Sequence, residues 1–143
     1  MTPDETTLVR QSYDIAKTMS GQLAGRFYQR LFETSPEIAP LFGDTNMTSQ
    51  AHKLMATLTL MVSSLKYPDV LLSASGELAE RHVNYGVKPE HYAPVGDALI
   101  WALERSLGPE FDAETKAAWQ SIYATISSAM IEAAYGTEIE AAE

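Results

Sequence analysis

The chain has 143 residues, 45% hydrophobic and 20% charged, which suits one globular domain large enough to bury a core without staples. Ten Lys and Arg against 19 Asp and Glu give a formal net charge of -9, and no basic cluster offsets it, so nucleic acid and anionic membrane surfaces are excluded as partners. The absence of cysteine removes disulfide frameworks, thiol nucleophiles, thiolate zinc sites and cysteine-ligated iron–sulfur clusters.

The N-terminus, Met1 to Glu5, carries no basic segment and no apolar stretch, so no signal peptide is expected and a cytoplasmic location fits. Thr2, Pro3 and Glu5 mark a helix start: a capping hydroxyl, a proline in the first turn and a carboxylate near the amide dipoles. Ala24, Phe27, Tyr28, Leu31 and Phe32 then share one helical face. Ser35-Pro36-Glu37 repeats the start signal and Gly43 supplies a stop. The most apolar window, Leu54 to Leu65, is broken by Thr57, Thr59, Ser63 and Ser64 and falls far short of the roughly 20 residues of a membrane span. Its inward stripe is Gln50, Leu54, Leu58 and Met61. The next stripe is Leu71, Ser75, Leu78 and Tyr85, ended by Gly86-Val87-Lys88-Pro89, and Val95, Leu99 and Leu103 follow before Gly108-Pro109. Asp112 caps a last helix from Ala113 to about Tyr135, with Trp119, Ile122, Tyr123, Ile126, Met130 and Ala133 inward. No strand or hairpin signal is present. The reading is a single all-α domain of six to eight helices over 1–136, with an acidic, disordered tail over 137–143.

Chemistry falls to the three histidines. His82 lies on the inward stripe of its helix, and a buried imidazole needs a hydrogen bond, a metal or a cofactor. A hydrogen-bonded core histidine and a ligand both satisfy that requirement. His52 stands two positions past Gln50, roughly 200° around the helix, and points to solvent. His91 follows Lys88-Pro89-Glu90 at a helix start and is expected to be exposed. There is no His-Glu-x-x-His pair, and the residues three before each histidine (Ser49, Ala79, Lys88) exclude a di-iron bundle. Nucleophile elbow, phosphate loop and calcium loop are absent too.

Gly25-Arg26-Phe27-Tyr28-Gln29-Arg30-Leu31-Phe32, with Ser35-Pro36-Glu37 and Leu41-Phe42, resembles the second and third helices of bacterial globins. Leu78 to Tyr92, continuing through Val95 to Leu99, is similar to their proximal helix and the one after it, and Ala118-Trp119 and Tyr123 match the last helix. The resemblance covers about residues 5 to 135 and is to single-domain bacterial haemoglobins, including neuroglobin-like ones, and to flavohaemoglobin globin domains. It implies a globin fold around haem b (iron protoporphyrin IX), with His82 as the iron ligand. It further implies that Phe42 packs on the haem plane, that Tyr28 and Gln50 face the open side of the iron, and that Leu54 walls the pocket. Gln50, 32 residues before His82, takes the family's usual distal position, and Tyr92, ten after, matches a tyrosine near the proximal histidine. Lys53, Val87, Val95 and Leu99 join the cofactor contacts by the same resemblance.

The implied function is reversible binding of dioxygen, with nitric oxide and carbon monoxide as further ligands, for storage, transport or scavenging. The alternative is a nitric oxide dioxygenase, which would need a separate reductase, since the sequence stops where a flavin reductase domain would begin. A gas sensor, which calls for a partner domain, is a third class. An open or water-bound sixth position is expected, with tyrosinate ligation by Tyr28 at high pH. One departure stands out. Flavohaemoglobins place a glutamate in the last helix against the proximal site, and counting from Trp119 that position falls near Gly136, with Glu132 and Glu138 in its vicinity.

Overall fold

The computed structural model describes residues 1–142, with side chains as far as Gly136. Six α-helices carry the chain: α1 (Pro3–Ala16), α2 (Ser20–Thr34), α3 (Met47–Ser63), α4 (Pro68–Asn84), α5 (Tyr92–Leu107) and α6 (Ala113–Ala142). Four short 3-10 turns link them, and no strand occurs among the described residues. α6 continues past the expected end at Tyr135. The expectation of a disordered tail falls on side chains beyond Gly136 and on Glu143, outside the described residues. No described helix is long and apolar enough to cross a membrane.

Local chemistry explains most boundaries. Thr2 and Glu5 form a reciprocal capping box on α1, with the Glu5 N–H donating to Thr2 Oγ1 at 3.1 Å and the Thr2 N–H to Glu5 Oε1 at 2.9 Å. Asp112 Oδ1 accepts from the Thr115 N–H at 2.8 Å at the start of α6. Asn46 does the same for α3 through the Ser49 N–H. Gly43, Gly86 and Gly108 all adopt positive φ (47°, 86° and 59°), so the three sequence stops are turns that a side chain would strain. Ser35 departs from expectation: it is buried, caps nothing, and the chain after it enters a 3-10 turn, Pro36–Phe42.

One main core joins α1, α2, α3, α5 and α6 around Val9, Tyr13, Leu23, Leu31, Leu103 and Trp119. α2 lies along α5, pinned by Trp101, whose ring carries Arg30 at 5.0 Å and Arg105 at 5.2 Å. α4 packs on α6 through a second cluster of Ala79, Tyr92 and Met130, and Leu78 and Ile126 belong to both clusters. Two expected inward positions are corrected. Tyr85 is 60% exposed, because it follows the last residue of α4 as its C-cap, where the helical stripe no longer applies. Ala133 is exposed on the outer face of α6.

Candidate haem and gas site

His82 occupies the last turn of α4, half-buried. Its Nδ1 lies 2.8 Å from the Leu78 carbonyl, one turn back. A carbonyl oxygen only accepts, so Nδ1 carries the proton and donates, leaving the Nε2 lone pair for a metal or a donor. Burial pushes the imidazole below its ordinary pKa, partly opposed by that hydrogen bond, so the ring is neutral at pH 7. A neutral imidazole with Nδ1–H engaged is the state in which histidine ligates iron.

The surroundings of His82 come from three elements. Tyr92, at the start of α5, stacks on the His82 ring at 6.3 Å and 25°, while Tyr85 lies at 6.4 Å on the solvent side. The chain turns through Gly86, and the Val87 N–H donates back to the His82 carbonyl at 3.0 Å. α6 ties both strands of this corner: Tyr135 donates to the Val87 carbonyl, and Tyr123 donates to the Tyr92 carbonyl at 2.6 Å. Gly96 makes that docking feasible, since a Cβ there would lie 2.4 Å from the Tyr123 ring.

A second group of candidate residues, on α2 and the turn after it, is aromatic. Tyr28 is 8% exposed and meets Phe27 at 4.8 Å, Phe42 at 5.6 Å and Phe32 at 6.0 Å, the first two edge-on. Burial raises its hydroxyl pKa, and the neighbouring Gln50 side chain opposes the rise. The sequence candidates Tyr28, Gln50 and Phe42 are thus brought together. Leu54 and Val95 are half-buried on the main core, Leu99 is buried in it, and Val87 packs on the second cluster. Lys53 is exposed on α3, as is His52. His91 is corrected from exposed to half-buried: its Nδ1 accepts the Lys88 N–H at 3.0 Å, so it closes a turn. Sequence reasoning missed the Leu78 carbonyl, Phe32 and the Tyr135 hydroxyl as site-building groups. Main-chain acceptors carry no residue-type signal.

Tyr92 is the odd member. Its hydroxyl is buried without a hydrogen-bond partner among the described residues, and burial with the neighbouring Tyr135 pushes its pKa up to about 12. Gly136 is buried, and the Glu132 carboxylate folds over it, 2.8 Å from where a Cβ would sit. Among the described residues, no carboxylate is among the groups that shift Tyr92 or His82. The Tyr123 hydroxyl is raised as well, by burial and by Tyr92. Both phenols therefore stay protonated in the folded chain after unfolded tyrosines ionise near pH 10. Their contribution to stability is full below about pH 10 and is lost as pH rises toward about 12. Urea midpoints of the haem-free protein should fall across that window, and Tyr92→Phe, which removes an unpaired hydroxyl, should flatten the fall. An unchanged slope would take Tyr92 out of the alkaline transition.

No group of three or more His, Asp or Glu converges on one point among the described residues. The donor set suits a metal that brings its own other ligands, with one imidazole nitrogen from the protein. The residues present fit haem on that chemistry.

Comparison with known proteins agrees with this architecture. Residues 25–130 match the globin family. A flavohemoprotein of Xylella fastidiosa is 32% identical over 123 residues, 85% of this chain and 31% of its own length. A flavohemoprotein of Deinococcus radiodurans is 28% identical over 133 residues, 92% of this chain and 33% of its own. The chain thus spans about a third of the length of these curated relatives. Among solved structures, an engineered carbene transferase made from a proposed nitric oxide dioxygenase of Rhodothermus marinus superposes with TM-score 0.85 at 26% identity, covering 100% of this chain and 99% of that one. A bacterial globin from Campylobacter jejuni superposes with TM-score 0.83 at 27% identity, covering 96% and 99%. Six packed helices, a neutral imidazole on α4 and an aromatic cluster around Tyr28 therefore have a family: the chain belongs to the globins.

Proposed function

We propose that this chain holds haem through His82 Nε2 and takes dioxygen and other diatomic gases at the opposite face, for oxygen storage, transport or scavenging. The observation that carries the reading is the His82 Nδ1–Leu78 carbonyl bond, which fixes the ring tautomer and leaves one nitrogen for the iron. The chain has no cysteine for thioether attachment, which supports a non-covalently held haem b. When bound, haem would supply an iron able to take a diatomic gas. Phe42 would pack against the cofactor, Leu54, Val95 and Leu99 would close the apolar walls, and Val87 and Tyr92 would hold the His82 side. Lys53, exposed at the rim, suits a propionate. Phe42 and Leu54 would exclude water from the bound group and so slow its oxidation.

Tyr28 and Gln50 supply an O–H and an N–H toward the gas, and dioxygen draws negative charge when it binds. Hydrogen bonds to such a charged acceptor contribute about 1.5–3 kcal/mol, roughly 10- to 150-fold in affinity. Tyr28→Phe is therefore expected to speed dioxygen release severalfold or more in stopped-flow, with carbon monoxide release changed far less. An unchanged dioxygen off-rate would remove Tyr28 from the mechanism. The parent test is an absorption spectrum of the haem-supplied protein, ferric, ferrous and ferrous under dioxygen. A sharp Soret band that moves on reduction and again under dioxygen supports the reading; absorption like that of free haem overturns it.

A second reading is nitric oxide dioxygenase with an external reductase. It is favoured by the Rhodothermus marinus neighbour's proposed activity and by the flavohemoprotein relatives. The test is nitrate formation from nitric oxide under a recycling reductant.

A further inference from the structure

Two tyrosines flank the His82 ring at nearly equal centroid distances, Tyr92 at 6.3 Å and Tyr85 at 6.4 Å. They differ in where a phenolic proton can go. The Tyr92 hydroxyl is buried without an acceptor among the described residues, whereas Tyr85 is 60% exposed and open to water. A phenol that gives up an electron must also shed its proton, or it is left as a cation, and a cation in an apolar interior is costly. Of the two rings beside His82, the exposed one is therefore the better electron donor. Tyr67 supplies the contrast. It is 61% exposed, as open as Tyr85, but it precedes the other end of α4, about 22 Å of helix rise away from His82. No other tyrosine is exposed. The chain has no cysteine to take up oxidising equivalents first, and methionine goes to its sulfoxide without cross-linking.

We propose that Tyr85 is an oxidative modification site: with haem held at His82, hydrogen peroxide draws an electron from the Tyr85 ring, and two such rings join two copies of the chain as dityrosine. The proposal rests on the haem reading above. Its balance is one peroxide to two tyrosines. The O–O bond breaks, each Tyr85 gives one electron and its hydroxyl proton, and the peroxide leaves as two waters. The two phenoxyl radicals then form one C–C bond between ring carbons ortho to oxygen, and each ring's displaced hydrogen returns to an oxygen. Exposed Arg81 and Lys88 offset exposed Glu80 and Glu90 around this corner, and Val83 adds exposed apolar surface. Two copies of a chain with net charge -9 meet more readily there than on its acidic faces.

The test treats the haem-loaded protein with equimolar hydrogen peroxide in about 1 M salt, where a screening length of about 3 Å removes most repulsion between copies. The parent should give a covalent dimer on a denaturing gel, with dityrosine fluorescence, and peptide mass spectrometry should place the bond between Tyr85 and Tyr85. Tyr85→Phe keeps a ring beside His82, so the Soret band should stay while the dimer yield falls about tenfold. Tyr67→Phe should match the parent. A reference reaction needs no haem: a diffusing one-electron oxidant applied to the haem-free protein should modify Tyr67 and Tyr85 alike, since the two are equally exposed. Bonds at Tyr67 in the peroxide reaction overturn the proposal, as does a Tyr85→Phe yield equal to the parent's. A normal Soret band without any dimer overturns the proposal alone. A parent with no Soret band overturns the haem reading, and the proposal with it.

Discussion

His82→Ala is expected to lose haem, giving absorption like that of free haem on mixing and a protein fraction without a Soret band after gel filtration. Of the three histidines, His52 is exposed and His91 is engaged with the Lys88 N–H, so neither offers a withdrawn nitrogen. The effect should be confined to the loaded state. A ligand that binds only the folded chain stabilises it by RT ln(1 + [L]/Kd), about 4 kcal/mol at a thousand times Kd. The parent should gain several kcal/mol on loading, and the variant close to nothing. Without haem the two should differ by about 1–2 kcal/mol at most, since His82 is half-buried and its one side-chain hydrogen bond is only part-buried. His52→Ala is the control and should keep both the spectrum and the loading increment. A Soret band retained by His82→Ala would remove His82 as the iron ligand.

How much of this was legible in the sequence differs by level. Helix ends read well where a single residue does the work: Thr2 and Asp112 cap through their own side chains, and Gly43, Gly86 and Gly108 stop helices because positive φ admits glycine at low cost. Stripes read well inside helices and badly past their ends. Extending a 3.6-residue period one step beyond Asn84 places Tyr85 inward, but there the chain is already turning toward Gly86. Ala133 faces outward for a different reason: a methyl group loses little by facing water, so its type marks no face.

At the site, His82, Tyr28 and Gln50 announced themselves as polar residues on or beside apolar stripes. Their partners did not. The tautomer of His82 depends on the Leu78 carbonyl, and the seat of Tyr92 on the Tyr123 hydroxyl 31 residues further on. The residue near the expected glutamate position is legible as Gly136, but its consequence is not. Only the packing reveals a buried Tyr92 hydroxyl left without an acceptor among the described residues. Among the described residues the His82 ring is bonded to a neutral main-chain carbonyl, an acceptor that only the folded helix supplies.

Trp119→Ala should have the complementary effect, on the scaffold and not on the cofactor. Trp119 is 4% exposed on α6, and its indole N–H donates to Ser12 Oγ on α1 at 2.8 Å. Its ring also meets Tyr13, 6.4 Å away at 53°, and the Tyr13 hydroxyl in turn bonds Thr59 Oγ1 and the Met55 carbonyl on α3. One side chain therefore links three helices. Large-to-small replacement of a buried tryptophan costs about 3–5 kcal/mol, from lost apolar contact and an unfilled cavity. Ser12 adds little to that, because its hydroxyl already donates to the Leu8 and Val9 carbonyls and stays satisfied. Against a total of about 5–15 kcal/mol for a domain, the haem-free variant should be marginal, with its urea midpoint sharply lowered. Loading with haem should still add the parent's increment and give the parent's Soret band, since the His82 corner hangs on Tyr123 and Tyr135 of α6 and not on Trp119. The two variants together separate what builds the fold from what holds the iron. A Trp119→Ala chain that lost less than about 1 kcal/mol would mean that α1 docks through Val9 and Ala16 without the indole. One that folded but failed to load would mean that the α1–α6 seam sets the position of His82.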